Sequence, residues 1–167
     1  DVYKRQMNTA QTHRPGETYM DREACEAPVV VQRQLYATAA PIDALIQHLK
    51  QQPPTFVVTC ARGSSDHAAT YAKYLIETHT GLVTASAAPS LSSLYQIQPR
   101  LAGCLYLVIS QSGRSPDLLA SAEAARRAGA ITVALVNDET APLAMLCEHM
   151  IPLAAGPEKA VAATKSY

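Results

Sequence analysis

Positions 1–19 are mostly polar, and Pro15 and Gly16 interrupt any rhythm, so this stretch reads as a flexible leader. Over residues 20–39 the pattern turns helical, with Pro28 expected to kink or divide the helix. A second helix is predicted over 41–51, with Pro41 in its first turn. The rhythm then changes to strands alternating with helices. TFVVTC at 55–60 is β-branched and apolar; 66–79 is helical, with Ala69, Ala72, Leu75 and Ile76 on one face; 82–87 is a second short strand. The alternation repeats as a short helix over 90–96, the strand CLYLVIS at 104–110 and a helix over 115–128 ended by Gly129. It closes with the strand ITVALV at 131–136, a helix over 141–149 and a strand over 150–153. Residues 159–167 (KAVAATKSY) read as a helix just starting where the sequence stops, as in a truncated chain.

Strands that are continuous apolar runs are buried on both faces, and helices between them imply right-handed crossovers. The predicted fold is therefore α/β and doubly wound, with a parallel sheet of about five strands flanked by helices as a three-layer sandwich. A length of 167 residues suits one core of this kind. The organisation expected is a leader over 1–19, N-terminal helices over 20–52 and an α/β domain over 53–167.

Composition narrows the function classes. Fourteen Lys plus Arg balance 14 Asp plus Glu, so no net field favours nucleic acid or an acidic membrane. Hydrophobic residues make up 48% and charged residues 17%, with no apolar run of bilayer length, which argues against both disorder and a membrane protein. Residues 1–20 lack the apolar core of a signal peptide, so a cytoplasmic location is expected; Met7 could be the natural start, leaving 1–6 as sequence from outside the gene. Cys25, Cys60, Cys104 and Cys147 each lie in an apolar stretch without zinc-ligand spacing and read as buried free thiols. His48, His79 and His149 read as helix-end residues, and His67 as either near a ligand or on the surface. No metal or cofactor is implied, and the glycine patterns of dinucleotide and nucleoside triphosphate sites are missing.

In an open parallel sheet, loops leaving the C-terminal ends of the strands line one crevice. Two such loops are small and rich in hydroxyls: Arg62-Gly63-Ser64-Ser65 after the first strand, and Ser110-Gln111-Ser112-Gly113-Arg114-Ser115 after the third. Each feeds a helix, whose N–H groups, together with serine hydroxyls and a glycine permitting close approach, would cradle a phosphate dianion without metal or lysine. The plainer reading is that Ser65 and Ser115 only cap their helices, with Pro116 and Asp117 in the first turn. A third loop, Gly156-Pro157-Glu158, brings a carboxylate that could act as a general base beside a carbonyl, or simply serve a helix dipole. Arg62 and Arg114 flank the phosphate loops and are expected to face solvent.

The segments CARGSSDHAATYAKYLIE, LVISQSGRSPD and AGPEKAVAATKSY together resemble the landmarks of the sugar isomerase (SIS) domain, in the branch that includes the isomerase half of glucosamine-6-phosphate synthase. The wording of these segments and of SAAPSLSSLY is most similar to second-type glucosamine-6-phosphate deaminases, which stand alone without a glutaminase domain. The resemblance implies that Ser65, Ser110, Gln111, Ser112 and Ser115 bind a sugar phosphate, with Ser64 near the sugar and Glu158 moving the proton. Gly63, Gly113, Asn137 and Asp138 are second-rank candidates. It further implies a homodimer and a second SIS domain carrying a ring-opening histidine and a lysine, so that this piece alone would be inactive. The activity implied is conversion of glucosamine 6-phosphate to fructose 6-phosphate and ammonia. The alternatives are the isomerising half of a synthase, another phosphosugar isomerase, or a sugar-phosphate sensor without chemistry.

Overall fold

The apolar runs do form strands buried on both faces in the computed structural model, which describes residues 18–160 and 162–166. Strands β1 (Phe56–Ala61), β2 (Thr84–Ser86), β3 (Cys104–Ser110), β4 (Ile131–Val136) and β5 (His149–Pro152) make one sheet in the order β2-β1-β3-β4-β5, every pair parallel. Register is continuous through the centre, from Phe56 opposite Cys104 to Ser110 opposite Val136.

Helices cover both faces. On one, Leu45 and Leu49 of α2 (Ala39–Gln51) and Ile76 of α3 (Ser64–Thr80) pack on Val57, Leu105, Ile131 and Val133. On the other, Leu118, Ala122 and Ala125 of α5 (Pro116–Arg127) and Leu143 of α6 (Pro142–Leu146) pack on Val58, Cys60, Tyr106 and Val108. Ala122 and Ala125 let α5 approach the sheet closely, and the buried Tyr106 hydroxyl shares a 2.7 Å hydrogen bond with Ser121 of the same helix. The short α4 (Pro89–Ser93) follows the edge strand β2. None of the described helices is long and apolar enough to cross a membrane.

Several expectations change. Helix α1 spans Tyr19–Ala37 without division at Pro28. Pro28 leaves the Ala24 carbonyl without its intrahelical partner, and both residues are exposed, so water can satisfy it. Thr18 caps this helix reciprocally with Asp21, so the last two residues assigned to a leader belong to α1; the rest of that leader, 1–17, lies outside the described residues. The helix expected over 159–167 is absent among the described residues there, which form turns and bends. Carboxylates occupy the amides it would have used, as described below. Cys60 and Cys104 are buried and Cys147 half-buried, but Cys25 is exposed on α1, because its position falls on the solvent side of a helix with few buried residues. His149 opens β5 instead of ending a helix.

Candidate active site

The strand order places a switch point between β1 and β3: β1 leads outward to β2 and β3 leads the other way to β4, so the loops after them diverge and open a crevice. Both hydroxyl-rich loops lie there. They line a cleft of about 430 Å³ with Arg62, Gly63, Ser64 and Ser65 on one side and Ser110, Gln111, Ser112 and Ser115 on the other.

Local backbone chemistry shapes each loop. Gly63 occupies the N-cap position of α3 at φ 60 and ψ −135, a conformation available essentially to glycine, and a side chain there would meet nothing within 4 Å. Ser65 therefore does not cap α3. Ser115 does occupy the N-cap position of α5, yet its hydroxyl makes no cap hydrogen bond. Neither serine side chain makes a cap hydrogen bond, and both residues line the cleft.

In the second loop the Ser110 hydroxyl oxygen accepts the Gly113 N–H at 3.1 Å and the Ser112 oxygen accepts the Arg114 N–H at 3.4 Å. An oxygen engaged as acceptor still has its own proton to donate to an anion. Gly113 is at φ 61 and packs so closely on α6 that a Cβ would lie 2.6 Å from that of Ala141. The cleft also receives the N-termini of α3 and α5, whose partial positive charge favours a dianion.

The arginines have partners. Arg62 is exposed, lines the cleft and forms an ion pair with Asp117 in the first turn of α5. Arg114 pairs with Asp138 at 2.8 Å, outside the cleft lining. The Thr140 hydroxyl and then the Arg114 guanidinium hold the Asp138 carboxyl down to about 2. Asn137 also lies outside the lining, but it ties loops together: its backbone N–H donates to Gln111 at 3.2 Å, its amide nitrogen to Gly156 at 2.7 Å, and its side-chain oxygen accepts Ala155 N–H at 2.8 Å. His67 is exposed on α3. No group of three or more potential metal ligands occurs among the described residues.

Glu158 is placed differently from the serines. One carboxylate oxygen accepts the N–H groups of Thr164, Lys165 and Ser166 at 3.0, 3.1 and 3.3 Å, and the other accepts the Ser166 hydroxyl. The turn closed in this way presents Ala162 and Ala163 to the cleft, while the Glu158 side chain is not part of its lining. Sequence reasoning missed these two alanines, which carry no chemical signal. It also missed two carboxylates of α1: Glu23, bonded to the amides of Lys159 and Ala160, and Glu26, 2.6 Å from the buried Lys165 ammonium.

Residues 53–167 match the SIS domain family, and the chain belongs to it. Over 155 residues it is 32% identical to the isomerizing glutamine–fructose-6-phosphate aminotransferase of Zymomonas mobilis, a match covering 89% of this chain and 25% of that protein. A Silicibacter pomeroyi DSS-3 protein assigned as a phosphosugar isomerase is 47% identical with a TM-score of 0.85, covering 90% of this chain and 46% of that one. The C-terminal domain of the Francisella tularensis glucosamine-fructose-6-phosphate aminotransferase shares the fold at 24% identity and TM-score 0.79, over 93% of this chain and 45% of that one. The chain thus spans about a quarter of the curated relative and about half of each solved chain.

Proposed function

We propose that this chain is the first of two SIS modules of an enzyme that interconverts an amino-aldose 6-phosphate and a ketose 6-phosphate, glucosamine 6-phosphate and fructose 6-phosphate being the pair. The observation carrying this reading is the cleft at the β1/β3 switch point, lined by Ser65 and Ser115, which make no cap hydrogen bond. Ser65, Ser110, Gln111, Ser112 and Ser115 bind the phosphate, and Ser64 lies toward the sugar.

Glu158 is the base of this mechanism. It leaves the amides of 164–166, takes the C2 proton of the opened amino-aldose and returns a proton to C1. A proton also passes from the amine nitrogen to O1, so that C1 becomes an alcohol and C2 an imine, which water hydrolyses to a ketone and ammonia. Reversal of the same steps makes the amino sugar from ketose and ammonia.

The two directions have different support. The curated aminotransferase relative favours the isomerising half of a synthase. The Silicibacter pomeroyi protein, assigned as a phosphosugar isomerase, supports isomerase chemistry of this kind, and the stand-alone deaminase rests on the wording of the motifs alone. The resemblance also motivates a homodimer acting in the cytoplasm, with no cofactor. Replacing Ser112 by Ala in the complete two-module enzyme tests the cradle. Loss of one charge-assisted hydrogen bond, worth about 1.5–3 kcal/mol, predicts a KM raised roughly tenfold or more with kcat little changed. An unchanged KM would remove Ser112 from the cradle.

A further inference from the structure

We propose that Arg62 is a further substrate-binding residue, resting on Asp117 in the free protein and passing to the phosphate of a bound phosphosugar; this rests on the reading of the β1/β3 cleft as a phosphosugar site. Among the described residues that line the cleft, Arg62 is the one that carries a charge. Its backbone lies between the end of β1 at Ala61 and the N-cap Gly63 of α3, on one wall. Its guanidinium reaches the opposite wall, where it donates to the Asp117 carboxylate in the first turn of α5. Asp117 closely follows Ser115, the lining residue at the N-cap of that helix, so the guanidinium rests beside the α5 N-terminus.

The pair is suited to exchange. The Arg62 side chain is 65% exposed and that of Asp117 22%, and an ion pair so open to solvent adds little to stability, so the arginine leaves it readily. A phosphate close to a dianion offers the guanidinium more charge than one carboxylate does, and its oxygens match the planar fork of N–H donors. The resting contact has a second effect. It offsets a carboxylate that would otherwise repel an anion approaching the amides of α5. Asp117 thus competes with the ligand for Arg62, and its own charge opposes the ligand, so removing that charge should strengthen binding where removing the arginine weakens it.

The test measures the dissociation constants of glucosamine 6-phosphate and of inorganic phosphate for the complete two-module enzyme and its Arg62→Ala, Asp117→Asn and Ser112→Ala variants. Arg62→Ala is expected to weaken both ligands roughly tenfold or more, and Asp117→Asn, which frees the guanidinium, to tighten both about two- to fivefold. A clasp that only held the two walls together would weaken binding in both variants, so losses of the same sign overturn the proposal, as does unchanged binding in Arg62→Ala. Salt supplies a second readout. The wild-type affinity should fall more steeply with ionic strength than that of Arg62→Ala, and parallel salt dependences overturn the direct contact. If Arg62→Ala keeps the wild-type affinity while Ser112→Ala loses it, the serine cradle stands and the role of Arg62 alone falls. A wild-type enzyme that binds neither ligand removes the phosphate site itself, and the inference with it.

Discussion

Gly113 shows how tightly the cradle is built. A methyl group there would lie 2.6 Å from the Ala141 side chain and 3.3 Å from Val136, on a backbone at φ 61. Overpacking costs about 1–3 kcal/mol and a left-handed conformation about 1–2 more. Gly113→Ala should therefore lower the urea midpoint by the equivalent of roughly 2–5 kcal/mol with an unchanged slope, and a wild-type midpoint would contradict the close approach. Gly63 differs, since only its backbone conformation requires glycine and space is open around it. Both glycines are visible in the sequence as points of close approach, but what Gly113 approaches is α6, a contact that depends on how the loops after β3 and β4 fold together.

At the level of elements, α2 meets β5 through His48 and His149, whose Nδ1 and Nε2 are 2.7 Å apart. Burial first, and then the neighbouring His48, lower the His149 pKa, with Glu148 partly opposing. A base depressed in the folded state binds more protons when unfolded, so stability is lost as pH falls through the ordinary histidine value of about 6.5. The unfolding midpoint should drop between about pH 7.5 and 5.5, and His149→Gln should flatten that drop; parallel profiles would contradict the coupling. Nothing in the spacing of two histidines 101 positions apart announces this contact. By contrast β3 and β4 match the strands read from their apolar runs residue for residue, because burial on both faces leaves no other pattern. The alanine-rich end of the chain misleads, since its amides bond to Glu158 and to Glu23 far away in α1 instead of to their own carbonyls.

On the scale of the whole molecule, the fold brings distant serines to one crevice by the order of its strands. That order is not written in any single segment, but the alternation of strands and helices, with a hydroxyl-rich loop after two strands, already points to the shared edge. The cleft lining holds the serine and glutamine candidates with Arg62 and Gly63, whereas Glu158, Gly113, Arg114, Asn137 and Asp138 stand outside it. In the proposed mechanism Glu158 moves from its resting hydrogen bonds to the C2 proton of a sugar held by the serines. The most direct test of that mechanism incubates glucosamine 6-phosphate with the complete two-module enzyme in deuterated water, without glutamine, beside the Glu158→Gln variant. Equimolar ammonia and fructose 6-phosphate are expected, with solvent deuterium entering at C1 and both products lost in the variant. Binding of the phosphosugar without turnover, or undiminished turnover by Glu158→Gln, would contradict the mechanism.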